Sequence, residues 1–180
     1  MSAHSESAVD DPQRPTPRAL PRPRDEDEPL FEARVPGIDY GVLDSLVGYA
    51  LRRAQLYLYE DFIRSLSAWN ITPPRFSALV VIAHNPDLKL TELARILNVA
   101  RSGAVTVVDA LSELGYVARH ASATDKRAFR LLLTPRGKKA LAAITGAVVA
   151  HDRRIVSMLN AEEQSQLMAL LGRMVGSDSP

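Results

Sequence analysis

The sequence predicts a mainly α-helical fold with one small β-hairpin, and three observations support this prediction. After about residue 39, apolar residues recur through most of the chain at the spacing of amphipathic helices. Two of the helical segments are short and are separated by a tight turn at Asn98-Val99. They are followed by two short strand-like runs on either side of a polar loop, which is the pattern of a β-hairpin.

The composition is that of a globular protein with one domain. The chain has 180 residues, 46% of them apolar, and a formal charge of +1. It contains no cysteine, which excludes disulfides, thiolate nucleophiles and cysteine-based zinc sites. It shows neither a run of the roughly 18 apolar residues that a membrane span requires nor the apolar stretch of a secretory signal. We therefore expect a cytoplasmic protein with no membrane partner.

Residues 1–36 are rich in proline and charge. The prolines are Pro12, Pro15, Pro17, Pro21, Pro23, Pro29 and Pro36. Such a composition cannot bury enough apolar surface to offset the entropy lost on ordering, so this segment is predicted to be a disordered tail. It is either a solvated extension or an arm that contacts a partner. The folded domain is expected to cover residues 37–175.

Two helices are predicted at the start of this domain. Residues 39–66 carry apolar side chains at helical spacing and predict one long amphipathic helix. Thr72 is a candidate cap, and Pro73 and Pro74 are tolerated in a first helical turn. The second helix should therefore begin at Pro73 and end near Asn85, where a turn begins.

The middle of the chain predicts a winged helix-turn-helix. Thr91 is expected to cap a short helix that ends at Asn98-Val99, and a second helix runs from about Arg101 to Leu114. Gly115 is suited to the C-terminal cap of this second helix. Strands at 116–119 and 129–133 are joined by the loop 120–128, and this hairpin is the wing.

Two helices are predicted after the hairpin. Thr134-Pro135 begins a helix that continues to about Leu159, and Asn160 with Glu163 forms a capping box that opens the last helix. The first helix and the last two carry more apolar surface than a small winged domain can cover. This surface is covered either within a monomer or by a second copy of the chain.

Positive charge is concentrated on the predicted winged motif. Between residues 73 and 139 there are eleven Lys and Arg against five Asp and Glu. Such an excess on a helix-turn-helix matches the phosphate backbone of a DNA duplex, whereas a solvated basic face is the alternative.

Over roughly residues 39–175 the chain resembles the MarR family of bacterial transcriptional regulators. The motifs that carry the resemblance are Ile71-Thr72-Pro73, Leu93-Ala94 with Leu97 and Val99, Val108-Asp109-Ala110-Leu111 leading to Gly115-Tyr116-Val117, Arg119 with Asp125-Lys126-Arg127, and Leu133-Thr134-Pro135-Arg136-Gly137. The resemblance implies a DNA-binding part at about 73–137. It also implies dimerisation helices at about 39–66 and 138–175, and a pseudo-palindromic double-stranded operator.

The resemblance further implies which residues contact DNA. The helix from Arg101 would lie in the major groove, and the wing would reach the minor groove. The candidates are Arg101, Ser102, Gly103, Val105 and Thr106 on the helix, and Asp125, Lys126 and Arg127 on the wing. Gly103 would allow close approach to DNA, and Asp125 would either orient Arg127 or form the turn. Ala100 and Thr106 depart from the usual pattern, in which a small polar residue and an arginine are common.

An effector site is implied where the dimerisation helices meet the winged domain. The candidates are Arg52, Arg53, Leu56, Tyr57, Glu60, Trp69 and Phe76. They offer aromatic walls and a cation for a small aromatic acid, although each also suits a core or surface position. The segment from Arg52 to Tyr57 resembles the branch that represses hydroxycinnamate catabolism and responds to aromatic acyl-coenzyme A thioesters. p-Coumaroyl-coenzyme A is therefore one expected effector, and a free phenolic acid is the other.

Other classes of function find less support. The four histidines, His4, His84, His120 and His151, show no metal-ligand spacing and no hydrolytic constellation. We therefore expect neither an enzyme nor a bound metal or cofactor. The alternative to a regulator is a winged-helix module that joins proteins, which would not need a minor-groove arginine at Arg127.

Overall fold

The computed structural model describes residues 34–121 and 129–176. Within these ranges the chain forms six α-helices and one antiparallel β-hairpin, so the predicted fold class is confirmed. The elements are α1 (Val47–Ser65), α2 (Pro73–His84), α3 (Leu90–Ile96), α4 (Arg101–Glu113), β1 (Val117–Ala121), β2 (Phe129–Leu133), α5 (Pro135–Ile155) and α6 (Ala161–Met174).

The prediction of one continuous helix from residue 39 is wrong at its N-terminal end. Residues Gly41–Ser45 form a 3₁₀ helix, and the extended backbone of Leu46 separates it from α1. Gly41 itself has φ +54°, a left-handed conformation that does not continue an α-helix. Side chains three residues apart align in a 3₁₀ turn as they nearly do in an α-helix, so apolar spacing did not distinguish the two.

Helix α2 begins at Pro73 as predicted, but two predicted capping side chains differ from the structure. Thr72 occupies the N-cap position of α2 with an extended backbone, but its side chain makes no capping hydrogen bond. Helix α3 begins at Leu90 with Lys89 at its N-cap, so Thr91 is a first-turn residue and not the cap. The reason is Glu92, whose carboxylate accepts the Lys89 backbone N–H at 2.8 Å and fixes the start there.

Three other predicted helix caps are confirmed. Gly115 follows α4 with φ +72°, and its N–H donates to the carbonyl of Ser112 at 2.9 Å. Thr134 caps α5 by accepting the Gly137 N–H at 2.9 Å. The Asn160 side chain accepts two backbone N–H groups at the start of α6. Helix α5, however, ends at Ile155 and not near residue 159.

The hairpin runs from the pair Val117–Leu133 to the pair Ala121–Phe129. Strand β1 begins one residue later and ends two residues later than predicted, so His120 belongs to a strand and not to the loop. The predicted wing residues Asp125, Lys126 and Arg127 lie outside the described residues.

One hydrophobic core holds the winged motif and α5 together. It takes fully buried side chains from α2, α3, α4 and α5, among them Leu79, Leu93, Leu111 and Ile144. By contrast, α6 has no buried residue. The terminal helices are therefore less covered in one chain than the winged motif is.

Helices α1 and α5 are joined by a charged cluster around Asp61. This carboxylate accepts hydrogen bonds from Arg64 at 2.6 Å, from Arg154 at 2.5 Å and from His151 Nδ1 at 2.8 Å. Burial by itself raises the pKa of the Asp61 carboxyl, but the three hydrogen bonds outweigh burial and hold that pKa well below its usual range. The carboxylate can only accept, so the Nδ1 of His151 is the donor in this hydrogen bond. We call these four residues the Asp61 cluster.

Candidate nucleic-acid interface

The first turns of α4 present the residues predicted to contact DNA. Arg101, Ser102 and Thr106 are exposed, whereas Gly103 and Val105 are half-buried. No side chain caps the helix at Ala100, so its first backbone N–H groups gain no acceptor from that residue. The exposed members are thus available to a molecule lying along this end of the helix.

The glycine at position 103 is explained in part by its packing against the turn of the helix-turn-helix. A Cβ at this position would lie 3.2 Å from Val99 Cβ, tighter than an ordinary contact. The glycine therefore allows α4 to pack closely on the turn that precedes it. Its predicted role in close approach to DNA stays a prediction.

A basic groove of about 240 Å³ lies between α3, α4 and the hairpin. Three of its residues are cations from three different elements: Lys89 before α3, Arg101 at the start of α4 and Arg119 on β1. The other lining residues are Leu90, Thr91, Val105, Phe129 and Leu131. The groove thus joins the predicted recognition residues Arg101 and Val105 to cations that the sequence had not assigned to the site.

Two arginines of the hairpin are oriented by acidic partners. Arg119 donates to the carboxylate of Asp109 on α4 at 2.5 Å, and Arg130 on β2 donates to Asp87 in the turn after α2. Exposed ion pairs contribute little to stability, typically below about 1 kcal/mol. Their effect here is geometric, because Arg119 is held beside α4 at the basic groove.

The predicted effector residues do not all meet at one place. Phe76 lines a largely apolar groove of about 550 Å³ between α2 and α3, and the other predicted residues are not among those lining it. Its ring lies 6.4 Å from that of Phe62 on α1. The single tryptophan, Trp69, is half-buried against the core in the 3₁₀ turn before α2.

The effector candidates on α1 lie partly towards solvent. Arg52 and Tyr57 are exposed, and Leu56, Arg53 and Glu60 are half-buried. The guanidinium of Arg53 lies over the ring of Tyr49, 5.7 Å from its centroid. The structure thus presents cations and aromatic rings along one helix, without bringing them to the groove beside Phe76.

Residues 34–121 and 129–176 contain neither a metal-binding group of side chains nor a membrane-spanning helix. No three His, Asp or Glu residues there are grouped so as to hold a metal ion. None of the helices in these ranges combines the length and apolarity needed to cross a membrane.

The sequence comparisons agree with this geometry. The model of the MarR family matches residues 69–128, which contain α2 to α4 and the first part of the hairpin. A Thauera aromatica protein assigned to regulation of the hcr operon is 37% identical over 141 residues, covering 78% of this chain and 85% of that protein. The HTH-type transcriptional repressor Rv2887 of Mycobacterium tuberculosis is 36% identical over 136 residues, covering 75% of this chain and 96% of the repressor.

Solved structures of such repressors share the fold. The transcriptional repressor CouR bound to a 23-mer DNA duplex matches with a TM-score of 0.73 at 34% identity, covering 77% of this chain and 98% of CouR. CouR bound to p-coumaroyl-CoA matches with a TM-score of 0.71 at 32% identity, covering 77% of this chain and 97% of CouR. Rv2887 in complex with p-aminosalicylic acid matches with a TM-score of 0.59 at 30% identity, covering 72% of this chain and 98% of Rv2887.

The relatives are matched over most of their length, and the matched region contains the helix-turn-helix and the basic groove. The protein is therefore a DNA-binding transcriptional repressor with a winged helix-turn-helix, and not an enzyme. This chain belongs to the MarR family of transcriptional regulators.

Proposed function

We propose that this chain is a cytoplasmic homodimeric repressor that binds a pseudo-palindromic DNA operator and releases it when a small aromatic ligand binds. The observation that carries the DNA-binding part is the basic groove, where Lys89, Arg101 and Arg119 converge beside the exposed first turns of α4. Cations placed in this way can contact the phosphates that flank a helix lying in the major groove.

In this proposal the DNA-binding part comprises about residues 73–137, and the helices on either side of it form the dimer. A twofold dimer presents two copies of α4 to successive major grooves, about 10 base pairs apart. The wing extends this contact, with Arg127 in the minor groove. A similar protein, CouR, has been solved bound to a 23-mer DNA duplex, which supports binding of this chain to double-stranded DNA.

The DNA-binding proposal is tested with an operator selected by the purified protein from random duplexes. The affinity of the protein for this operator is measured by gel shift between about 50 and 200 mM salt. Several phosphate contacts predict that this affinity falls on the order of a hundredfold or more over that range. The selected sequence should show two related half-sites about one helical turn apart. Affinity that does not change with salt would contradict the role of the basic groove.

The wing is tested separately with Arg127→Ala. Removing a charged minor-groove contact should weaken operator binding by about 1–3 kcal/mol and leave the dimer intact. Arg153→Ala is the matched control, because it removes the same charge from an exposed position of α5, outside the DNA-binding part and not on α6. Equal affinity of the two variants would remove Arg127 from the interface.

The proposed effector is a small aromatic acid or its coenzyme A thioester, with p-coumaroyl-coenzyme A as the specific candidate. Two similar repressors support this class of ligand, since CouR has been solved with p-coumaroyl-CoA and Rv2887 with p-aminosalicylic acid. Within this chain, Arg52 and Arg53 on α1 are cations that could pair with an anionic ligand, and Trp69 and Phe76 are aromatic residues that could form its walls. A coenzyme A thioester would use both arginines, whereas a free phenolic acid needs one.

Trp69 provides the measurement, because it is the only tryptophan. Titration with p-coumaroyl-coenzyme A, p-coumarate and coenzyme A should quench its fluorescence with potency falling in that order. The thioester should also release operator DNA, and by linkage the operator should weaken thioester binding by the same factor.

A double arginine variant separates the candidate ligands. Replacing both Arg52 and Arg53 with Gln should weaken binding of the thioester more than binding of the free acid. If none of the three compounds quenches Trp69 or releases DNA, this effector class is wrong, whereas the DNA-binding proposal is unaffected.

A further inference from the structure

We propose that Thr106 gives the protein specificity for thymine, by placing its side-chain methyl group against the C5-methyl of a thymine in each half-site. The inference rests on the proposed placement of α4 in the major groove. It adds to that proposal the chemical group that is recognised and the base that carries it.

The side chain of Thr106 is held in one orientation by the helix. Its hydroxyl donates a hydrogen bond to the backbone carbonyl of Ser102, one turn earlier, at 3.1 Å. Such a bond to the carbonyl four residues back fixes the hydroxyl against the helix backbone and uses its only proton. The residue is exposed, so the methyl group is the part of the side chain that extends away from α4.

The neighbours of Thr106 leave this methyl group accessible. Gly103 has no side chain, and Val105 is half-buried in the basic groove. Ser102 lies one turn before Thr106 on the same side of the helix. A base near Thr106 would therefore have the Ser102 hydroxyl on one side and the Thr106 methyl group on the other. Apolar contact with a methyl group distinguishes thymine from the other bases in the major groove.

The size of the effect follows from the burial of one methyl group. Removing a buried methyl from an interface costs about 0.8 kcal/mol, which is about a fourfold change in affinity. Replacing the contacted thymine by uracil removes only this methyl and keeps the base pair. Substitution in both half-sites of the dimer should therefore weaken binding about fifteenfold, if the two effects add.

The test is a thymine-to-uracil scan of the selected operator with three proteins. The wild-type protein should lose affinity when uracil replaces thymine at one position of a half-site and at the symmetry-related position of the other half-site. Thr106→Ser keeps the hydroxyl and removes the methyl, so it should bind the thymine operator about as weakly as wild type binds the uracil operator, and should not distinguish the two. Thr106→Val keeps a methyl and removes the hydroxyl, so it should keep both the affinity and the sensitivity to uracil.

Three results would overturn the inference. One is that no position of the operator is sensitive to uracil. Another is that Thr106→Ser remains as sensitive as wild type, which would assign the contact to another side chain. The third is that Thr106→Val loses affinity while Thr106→Ser keeps it, which would show that the hydroxyl makes the contact. In each case wild type still binds the operator, so the outcome is distinct from failure of DNA binding.

Discussion

At the scale of single residues, Gly137 joins the hairpin to α5. A Cβ built at this position would lie 2.0 Å from the backbone carbonyl oxygen of Tyr116, at the entry to β1. The same carbonyl accepts the N–H of Thr134 at 3.0 Å. The first turn of α5 and the start of the wing are thus in backbone contact, and no side chain can be inserted between them.

This contact predicts that Gly137→Ala destabilises the protein. The new methyl group must displace backbone and not a flexible side chain, so we expect a loss of about 1–3 kcal/mol or more in the free energy of unfolding. The measurement is urea denaturation followed by circular dichroism at a fixed protein concentration.

Gly146→Ala is the matched control on the same helix. A Cβ there meets nothing within 4 Å, so replacing glycine inside α5 should raise stability by about 0.5–1 kcal/mol. If the two variants had equal stability, the contact between Gly137 and Tyr116 would not constrain the fold.

At the scale of elements, the Asp61 cluster links α1 to α5. His151 is buried with its ring edge against Phe62, the two ring centroids lying 5.4 Å apart. Arg64 and Arg154 reach the carboxylate from its outer side, and more than half of each arginine side chain is exposed. Both arginines can turn to solvent when the cluster is broken, whereas Asp61 and His151 are buried. The buried pair therefore determines the free energy lost on breaking the cluster.

We expect Asp61→Asn to destabilise the fold by about 1–3 kcal/mol at neutral pH, because buried donors lose a charged acceptor. The folded-state pKa of Asp61 lies below its unfolded value, so its contribution is complete above the unfolded pKa of about 3.9. The contribution is lost as the pH falls below that value. The difference in stability between wild type and variant should therefore be largest near pH 7 and shrink below about pH 4.

Chemical denaturation of both proteins between pH 3 and pH 8 measures this difference. Asp152→Asn is the control, because it makes the same change at an exposed position next to His151. A constant difference across this pH range would mean that the charge of Asp61 is not what joins the helices.

At the scale of the whole molecule, the terminal helices remain partly uncovered. Leu167, Met168, Leu170 and Met174 of α6 are exposed, as is Val47 at the start of α1. Apolar faces of this extent on both terminal helices favour a second copy of the chain as the molecule that covers them.

The expected oligomer is a dimer, and charge on the apolar face of α6 should disrupt it. The double variant Leu167→Asp and Leu170→Asp should sediment as a monomer and bind the operator at least tenfold more weakly, because the two half-sites are no longer linked. Ser165→Asp, on the opposite side of α6, should remain a dimer. A double variant that stays dimeric would show that α6 does not form the interface.

Much of the fold could be predicted from the sequence because the signals are local. Helical spacing connects residues three or four apart, and caps such as Thr134 and Asn160 bond within the same turn. The predictions failed where two local patterns look alike, as in the 3₁₀ turn before Leu46. They also failed at the start of α3, where the Glu92 carboxylate accepts the backbone N–H of Lys89, three residues earlier, and makes Lys89 the N-cap in place of Thr91.

By itself, then, the sequence determined the order of the elements, the winged helix-turn-helix and its positive charge, since each depends on neighbours along the chain. Only the tertiary structure decided which distant residues meet. It placed Lys89 and Arg119 beside Arg101, and it paired Asp61 with His151 across 90 residues. Such contacts depend on how the helices pack against one another, and no spacing within a single element encodes them.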